Sequence, residues 1–546
     1  MKIALAQINY HIGNFKNNES RVFDTIEKAK TMGADLVVFA ELAVSGYPPR
    51  DFLEFDDFIA KCHKSIEKIA GWSNGIGVII GAPSVNPDKK GKDLYNSAWF
   101  IADGKVQSVH HKSLLPNYDV FDEYRYFEPG TDFKTIDFKG KKLAITICED
   151  LWNIGDDLLY RGNPMDELFK QQPDIMINIA ASPFHYKQAD ERKNILLQNV
   201  AKYQLPLFYV NHVGAQTELL FDGGSLVINA KGEVCSEMAY FKEDLQVFDT
   251  DLLTVCNHSK PKPGKMELIH DALVMGIRNY FTKLGLSKAI IGLSGGIDSA
   301  VTAVLAERAL GKENVYGVML PSEFSSDHSV SDAVALARNL GIKHDIIPIE
   351  EGTKTVNHTL KPQFDGTSFG IAEENIQARM RGLILMALAN KFNYILLNTS
   401  NKSEAAVGYG TLYGDMNGGL SVLGDVYKTD VFLMARYINK DEEVIPENSI
   451  IKPPSAELRP DQKDSDSLPE YDILDKILYS YIEERQGPKE IIAMGFDKKL
   501  VDRVLKMVNT NEYKRYQTPP VLRVSSKAFG MGRRMPIVAK YLAEND

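Results

Sequence analysis

Ser294-Gly295-Gly296-Ile297-Asp298-Ser299 follows directly on the apolar run Ala289-Ile290-Ile291-Gly292-Leu293 and leads into a helical stretch, Ala300 to Leu310. The pattern predicts a buried strand, a tight turn and a helix, with backbone N–H groups and two serine hydroxyls converging where the helix N-terminus also points. Such a concavity suits an anion, most simply a phosphate. Glycine permits close backbone approach there. Asp298 would repel a bare phosphate, so its carboxylate makes sense with Mg2+ between the two. A plain strand-to-helix turn accounts for Ser-Gly-Gly alone, but not for Asp298-Ser299 in this setting. No Gly-Lys-Ser/Thr occurs, so this is not the lysine-bearing nucleotide loop.

The chain around this turn has 546 residues, too many for one ordinary core, and two or more domains are expected. A net charge of −10 argues against nucleic acid as a partner, so an anionic substrate must be met by local positive charge. No apolar run is long enough to span a bilayer, and Met1-Lys2-Ile3-Ala4-Leu5-Ala6 enters a strand pattern without a signal peptide's features. Cys62, Cys148, Cys235 and Cys256 are scattered, which predicts a reducing cytoplasm and no disulfide framework.

Residues 1–255 alternate short apolar strands with helical stretches; residues 256–265, rich in proline and polar residues, read as a linker; residues 266–546 alternate again, with strands at Ala289, Val315–Leu320, His344–Ile349 and Tyr394–Asn398. Both halves therefore read as α/β, the second with a parallel sheet. The polar stretch Arg459–Asp466 reads as a loop.

Three segments of the first half carry reactive side chains. Cys148 ends the strand Leu143–Ile147 and is followed by Glu149-Asp150-Leu151-Trp152; Glu41 lies just past another buried strand; Lys112 precedes a turn, in His111-Lys112-Ser113-Leu114-Leu115-Pro116-Asn117-Tyr118. A lone cysteine in such a place is more often a packed thiol. The three together resemble the Glu-Lys-Cys triad of the nitrilase superfamily. That resemblance implies an αββα sandwich, with Cys148 as nucleophile, Glu41 as general base and Lys112 favouring thiolate and oxyanion. Phe121-Asp122-Glu123-Tyr124-Arg125-Tyr126-Phe127 and Cys148-Glu149-Asp150-Leu151-Trp152 are similar to the glutaminase branch attached to NAD synthetases. By the same resemblance Glu123 supports the lysine, and Tyr118, Glu149 and Ser182 hold glutamine.

In the second half, the Ser294–Ser299 turn resembles the pyrophosphate loop of the ATP pyrophosphatase family. Glu374-Asn375-Ile376-Gln377-Ala378-Arg379 puts Asn375 and Arg379 on one helix face. Asn398-Thr399-Ser400-Asn401-Lys402-Ser403-Glu404, Tyr413-Gly414-Asp415 and Gly424-Asp425-Val426-Tyr427-Lys428-Thr429 follow in the order of the NAD synthetase pattern. The resemblance implies a doubly wound parallel sheet, Mg2+ on Asp298 and Glu404, and ATP on Ser294, Gly295, Gly296, Asp298, Ser299, Thr399 and Lys428. It also implies deamido-NAD on Asn375, Arg379 and Asp415. Glu323 departs from the family, which often carries a basic residue at this place in a mobile loop. A basic stretch, Lys514-Arg515 through Arg523, Lys527, Arg533 and Arg534, invites a polyanion reading; in the family a similar tail closes over the synthetase site.

Together these features imply a nitrilase-type glutaminase fused to an NAD synthetase. The expected reaction is ATP-dependent amidation of deamido-NAD, with glutamine as nitrogen donor and AMP, pyrophosphate and glutamate released. A closed passage for ammonia, no membrane partner and a homo-oligomer are also expected. Two rivals stay open: another amidotransferase of the same ATP class, separated by deamido-NAD binding, and a non-catalytic nucleotide sensor, excluded by pyrophosphate release with turnover.

Overall fold

Alternating apolar strands and amphipathic helices leave each sheet with faces that must be covered, and the two halves of the chain solve this differently. The computed structural model describes residues 1–88, 90–156, 158–253, 256, 263–460 and 462–541. It divides into two units, Met1–Pro263 and Gly264–Asp546. Most of the expected linker, 257–262, lies outside the described residues.

The first unit holds two six-stranded sheets. One runs Asp244–Asp249, Lys2–Gln7, Leu36–Phe39, Gly77–Val85, Leu94–Ala102, Lys105–His111; the other runs Val234–Glu237, Leu226–Ile228, Leu207–Asn211, Ile175–Ala180, Lys141–Ile147, Ile136–Phe138. In each, three consecutive strands are parallel and the flanking ones antiparallel. Ile3, Leu5, Val38 and Ile79 of the first sheet share one core with Ile145, Ile147, Ile177 and Val210 of the second. The sheets therefore pack face to face, with helices such as Phe15–Thr31, Asp56–Trp72 and Gln188–Tyr203 outside. Strand Lys105–His111 is absent from the sequence reading because most of its residues are exposed or half-buried, so it lacks an apolar run.

The second unit is built on five parallel strands in the order Lys343–Ile346, Val315–Met319, Ala289–Gly292, Ile395–Asn398, Leu420–Ser421. Chain order reverses between Ala289–Gly292 and Ile395–Asn398. In an open α/β sheet the crevice at that switch point, beyond the strands' carboxyl ends, is where ligands bind. Helix Ile371–Phe392 packs through Leu385 and Ala389 against Ile290, Val318 and Leu396. A separate helical core joins Ala406, Leu474, Ile477, Val504 and Val508.

One expectation is corrected: Cys235 and Cys256 form a disulfide, 21 residues apart in sequence, while Cys62 and Cys148 are free. The pairing depends on where the chain goes after Asp249, which no local pattern records.

Candidate functional site

In the first unit, parallel strands end at a common edge, and the residues that follow them meet. Glu41 lies two residues past Leu36–Phe39, and Lys112 directly follows Lys105–His111. Cys148 directly follows Lys141–Ile147, with φ +43°. A left-handed backbone at a non-glycine residue is strained, and such strain clusters where a side chain must be presented. The Glu41 turn lies so close to strand Gly77–Val85 that a Cβ on Gly81 would come within 2.2 Å of Leu42 N, so only glycine fits there.

Lys112 Nζ donates to Glu41 Oε1 at 2.7 Å and to both Glu123 oxygens at 2.9 and 2.8 Å. All three side chains are buried. Burial opposes the Lys112 charge, but the Glu123 and Glu41 carboxylates outweigh it and hold the ammonium well above the usual lysine range. The Cys148 thiol is pushed well up, first by burial and then by the Glu41 carboxylate; Lys112 offsets this only in part. Cys148 therefore rests as a thiol, which would need a base to act as a nucleophile, and Glu41 is the carboxylate that acts on it most strongly. The sign has a testable consequence. Glu41→Gln removes the largest charge opposing thiolate, so alkylation of Cys148 by iodoacetamide should titrate at lower pH than in the parent while hydrolysis is lost. A titration moved to higher pH would contradict this electrostatic picture.

Beside the thiol, Glu149 accepts hydrogen bonds from Tyr118 Oη at 2.8 Å and Tyr160 Oη at 3.1 Å, and burial raises its pKa. Tyr118 is 40 % exposed, so this wall of the site reaches solvent. Ser182 follows strand Ile175–Ala180; its N–H donates to Asn211 Oδ1 at 2.9 Å, and its hydroxyl accepts from Gln188 Nε2 at 3.1 Å.

Several members of this site were not read from the sequence. Tyr47 Oη donates to Glu123 Oε1 at 2.9 Å, and Asn96 Nδ2 lies 2.7 Å from Glu41 Oε1. Asp150 accepts the N–H groups of Ser113, Leu114 and Ile147 at 2.9–3.0 Å, pinning the segment after Lys112 to the nucleophile turn. Asp150→Ala would leave three backbone donors without this partner, two of them buried and worth about 1–3 kcal/mol each. Lowered thermal stability is expected; a wild-type melting temperature would contradict the role. The available signal was Asp150 itself, an acid in the turn that ends a buried strand.

In the second unit, a cavity of about 310 Å3 opens at the switch point of the sheet. It is lined by Ser294, Gly296, Asp298, Ser299, Thr399, Glu404, Asp415 and Lys428 among the sequence-selected residues. Gly295 has φ +77°, and a Cβ there would meet Ser329 O at 2.1 Å, which explains the glycine. The two serine hydroxyls lie 3.1 Å apart, and Ser299 Oγ donates to Gly296 O at 2.9 Å. Asn375 and Arg379 are not among the lining residues. Both are bound to the turn that ends in Asp415: Thr411 Oγ1 donates to Asn375 Oδ1 at 2.7 Å, Arg379 Nε donates to Leu412 O at 3.2 Å, and Asp415 Oδ1 accepts Thr411 N–H at 2.6 Å.

The acidic side of this cavity follows from local sequence. Asn401-Lys402-Ser403-Glu404 is a capping box on helix Lys402–Val407: Asn401 Oδ1 accepts the Glu404 N–H at 3.0 Å, and Glu404 Oε2 accepts the Asn401 N–H at 3.4 Å. Asn401 Nδ2 also donates to Asp298 Oδ1 at 2.9 Å. Lys428 pairs with Asp298, and with Glu404 at 3.5 Å. Burial and the Asp298 carboxylate push Glu404 up to about 8. Burial opposes the Lys428 charge, but Asp298 and Glu404 hold its ammonium above the usual lysine range. Two carboxylates thus share one ammonium, and the uncompensated second acid is why Glu404 holds its proton near neutral pH. Asp464, from the stretch read only as a loop, lines the same cavity and accepts from Tyr409 and Tyr471 at 3.1 and 2.9 Å.

The basic tail is corrected from a polyanion surface. Lys514 donates to the carbonyls of Gly408 and Gly410, and Arg515 to those of Ala405 and Ala406. These cations cap the C-terminal end of helix Lys402–Val407, where positive charge is favourable. Arg523 binds the carbonyls of Ser525 and Ser526, and Arg533 pairs with Glu512. Glu323 is exposed.

Comparison with known proteins assigns both units. Residues 2–256 match the carbon-nitrogen hydrolase family and residues 269–518 the NAD synthase family. The fold is thus a nitrilase-like domain followed by an NAD synthase domain, and the class is a C–N bond-forming ligase. The chain is 43% identical over 550 residues to the glutamine-dependent NAD(+) synthetase of Synechocystis sp., and 41% identical over 579 residues to that of Thermotoga maritima, covering 99% of both chains in each case. A solved structure of the glutamine-dependent NAD+ synthetase of Acinetobacter baumannii, in complex with ADP, is 40% identical, with TM-score 0.79 over 100% of this chain and 99% of that one. The chain belongs to the glutamine-dependent NAD(+) synthetase family, which catalyses the final, ATP-dependent amidation in NAD biosynthesis.

Proposed function

We propose that the two sites divide this reaction, with residues 1–255 as glutaminase, 256–265 as linker and 266–546 as synthetase. The observation that carries the division is the buried Glu41–Lys112–Glu123 cluster acting on Cys148 in one unit, and the phosphate-type turn beside Asp298, Glu404 and Lys428 in the other.

In the glutaminase, Glu149, Tyr118 and Ser182 hold glutamine, Glu149 as counter-ion to its ammonium. Glu41 takes the Cys148 proton as sulfur attacks the amide carbon. Lys112, held by Glu123, and a backbone N–H after Cys148 face the oxyanion. The C–N bond breaks, and ammonia leaves with the proton from Glu41. Water, deprotonated by Glu41, then hydrolyses the thioester to glutamate, and the proton returns to Cys148.

In the synthetase, Ser294, Gly295, Gly296, Ser299 and Thr399 bind the phosphates of ATP, while Asn375, Arg379 and Asp415 orient deamido-NAD. The two acids Asp298 and Glu404 beside the phosphate-type turn fit a divalent cation, whose charge would displace the proton that Glu404 otherwise holds. Among the described residues no three His, Cys, Asp or Glu side chains form a metal cage. Mg2+ does not require one, since one or two carboxylates plus substrate phosphates are its usual ligands. Asp298 and Glu404 would hold it, and when bound it neutralises charge on the phosphates. The nicotinate carboxylate attacks the α-phosphate and pyrophosphate departs towards Lys428. Ammonia then displaces AMP, reaching the acyl adenylate through a passage closed to water, because bulk ammonium is not nucleophilic. No helix among the described residues is long and apolar enough to cross a membrane. We place the enzyme in the cytoplasm, with ATP, as a homo-oligomer.

An electrophilic diazo-ketone analogue of glutamine tests the assignment. It should label Cys148 stoichiometrically, as mapped by peptide mass. Label on Cys62, or none, would overturn it.

A further inference from the structure

The glutaminase cluster contains one buried side chain with no place in the steps above. Asn96 lies in strand Leu94–Ala102 and is fully buried. Its Nδ2 donates to Glu41 Oε1 at 2.7 Å and to Glu123 Oε2 at 3.3 Å, so one amide group serves both carboxylates. With its NH2 group facing the two acids, the amide is oriented to donate to ionised carboxylates, which only accept. The opposite atom, Oδ1, is buried and has no hydrogen-bond partner among the described residues. Leaving a buried acceptor unpaired is destabilising, so stability alone does not account for an asparagine here.

Lone-pair accounting gives the amide a job. Glu41 Oε1 receives Lys112 Nζ and Asn96 Nδ2, both at 2.7 Å; among the described residues Oε2 receives only the Ala181 N–H, at 2.9 Å. A carboxylate has about four acceptor sites, and three are filled. The vacant one is on Oε2. We propose that Asn96 is a positioning residue for glutamine hydrolysis: it saturates Glu41 Oε1, fixes the carboxylate plane and leaves Oε2 as the oxygen that takes the Cys148 proton. It also screens Glu41 from Glu123, because a single ammonium serves two carboxylates. The titratable groups facing this cluster are Lys112, Glu123, Cys148 and Tyr47, with Glu149 acting on Cys148 from the next turn.

This inference rests on Glu41 being the base. The test uses the full-length enzyme with glutamine or ammonium as nitrogen source. Asn96→Leu keeps the heavy-atom branching, though with a larger volume, and removes both donors. The expected result is a kcat for glutamine reduced by ~10²-fold, the range of a misplaced general base, with little change in KM. The acid limb of the kcat/KM profile should move to higher pH, because a carboxylate stripped of a donor beside a like charge holds its proton more tightly. Asn96→Asp, isosteric and with an added carboxyl, should move that limb further, which covers the case in which the leucine variant folds poorly. A wild-type acid limb in folded Asn96→Leu and Asn96→Asp would overturn the proposal, even if both lost kcat. Cys148→Ala separates this from the underlying reading: if it still hydrolyses glutamine, the triad assignment itself is wrong.

Discussion

Cys148→Ala should abolish NAD+ formation from glutamine while NAD+ formation from ammonium continues. In the proposed division the thiol is the nucleophile of one half-reaction and has no part in the other, which is assigned to a unit with its own core. Its removal leaves a small cavity at the end of one strand, and the turn stays pinned by Asp150 through Ile147, Ser113 and Leu114. Glutamine-driven turnover is expected to fall by at least ~10³-fold, since loss of a covalent nucleophile forfeits the whole thioester path. Parallel assays of AMP release with 15N-glutamine and with ammonium would measure it. Loss of both activities in a folded variant would contradict the division of labour.

Lys428→Met should behave oppositely and abolish synthesis from either nitrogen source. Lys428 is buried, lies at the start of helix Lys428–Ile438 and supplies the ammonium shared by Asp298 and Glu404. Without it those carboxylates face each other alone, and Glu404, already pushed up to about 8, takes up a proton more readily still. The sign is fixed: losing a cation stabilises the neutral acid. A cation aimed at a departing phosphate is worth about 10²–10³ in rate, and both nitrogen sources should lose that factor. Glutamine hydrolysis measured alone, as glutamate release, should survive. A variant impaired only with glutamine would place Lys428 outside the phosphate site.

Residues that end apolar strands were legible before any coordinates. Glu41, Cys148 and Thr399 each follow an apolar strand, and parallel sheets gather such ends at one edge; Asp298 opens the helix after another such strand, while Lys112, which follows a strand without an apolar run, was reached only through the family resemblance. Asn96 and Tyr47 were not legible, because their partners lie 55 and 76 residues away and only the register brings them together. Asn96 did leave a trace, as a polar residue in the strand Leu-Tyr-Asn-Ser-Ala-Trp-Phe-Ile-Ala. Asp464 was hidden for another reason: a loop that lines a cavity looks in sequence like any other loop. The basic tail misled because charge counts do not show that Arg515 and Arg523 spend their donors on backbone carbonyls. The Cys235–Cys256 bond was invisible to spacing alone.

The most direct test measures AMP and NAD+ together from deamido-NAD, ATP and Mg2+, first with glutamine and then with ammonium. The account predicts NAD+ and AMP in equal amounts with either source, and glutamate only with glutamine. Product with neither, or AMP released without NAD+, would contradict it.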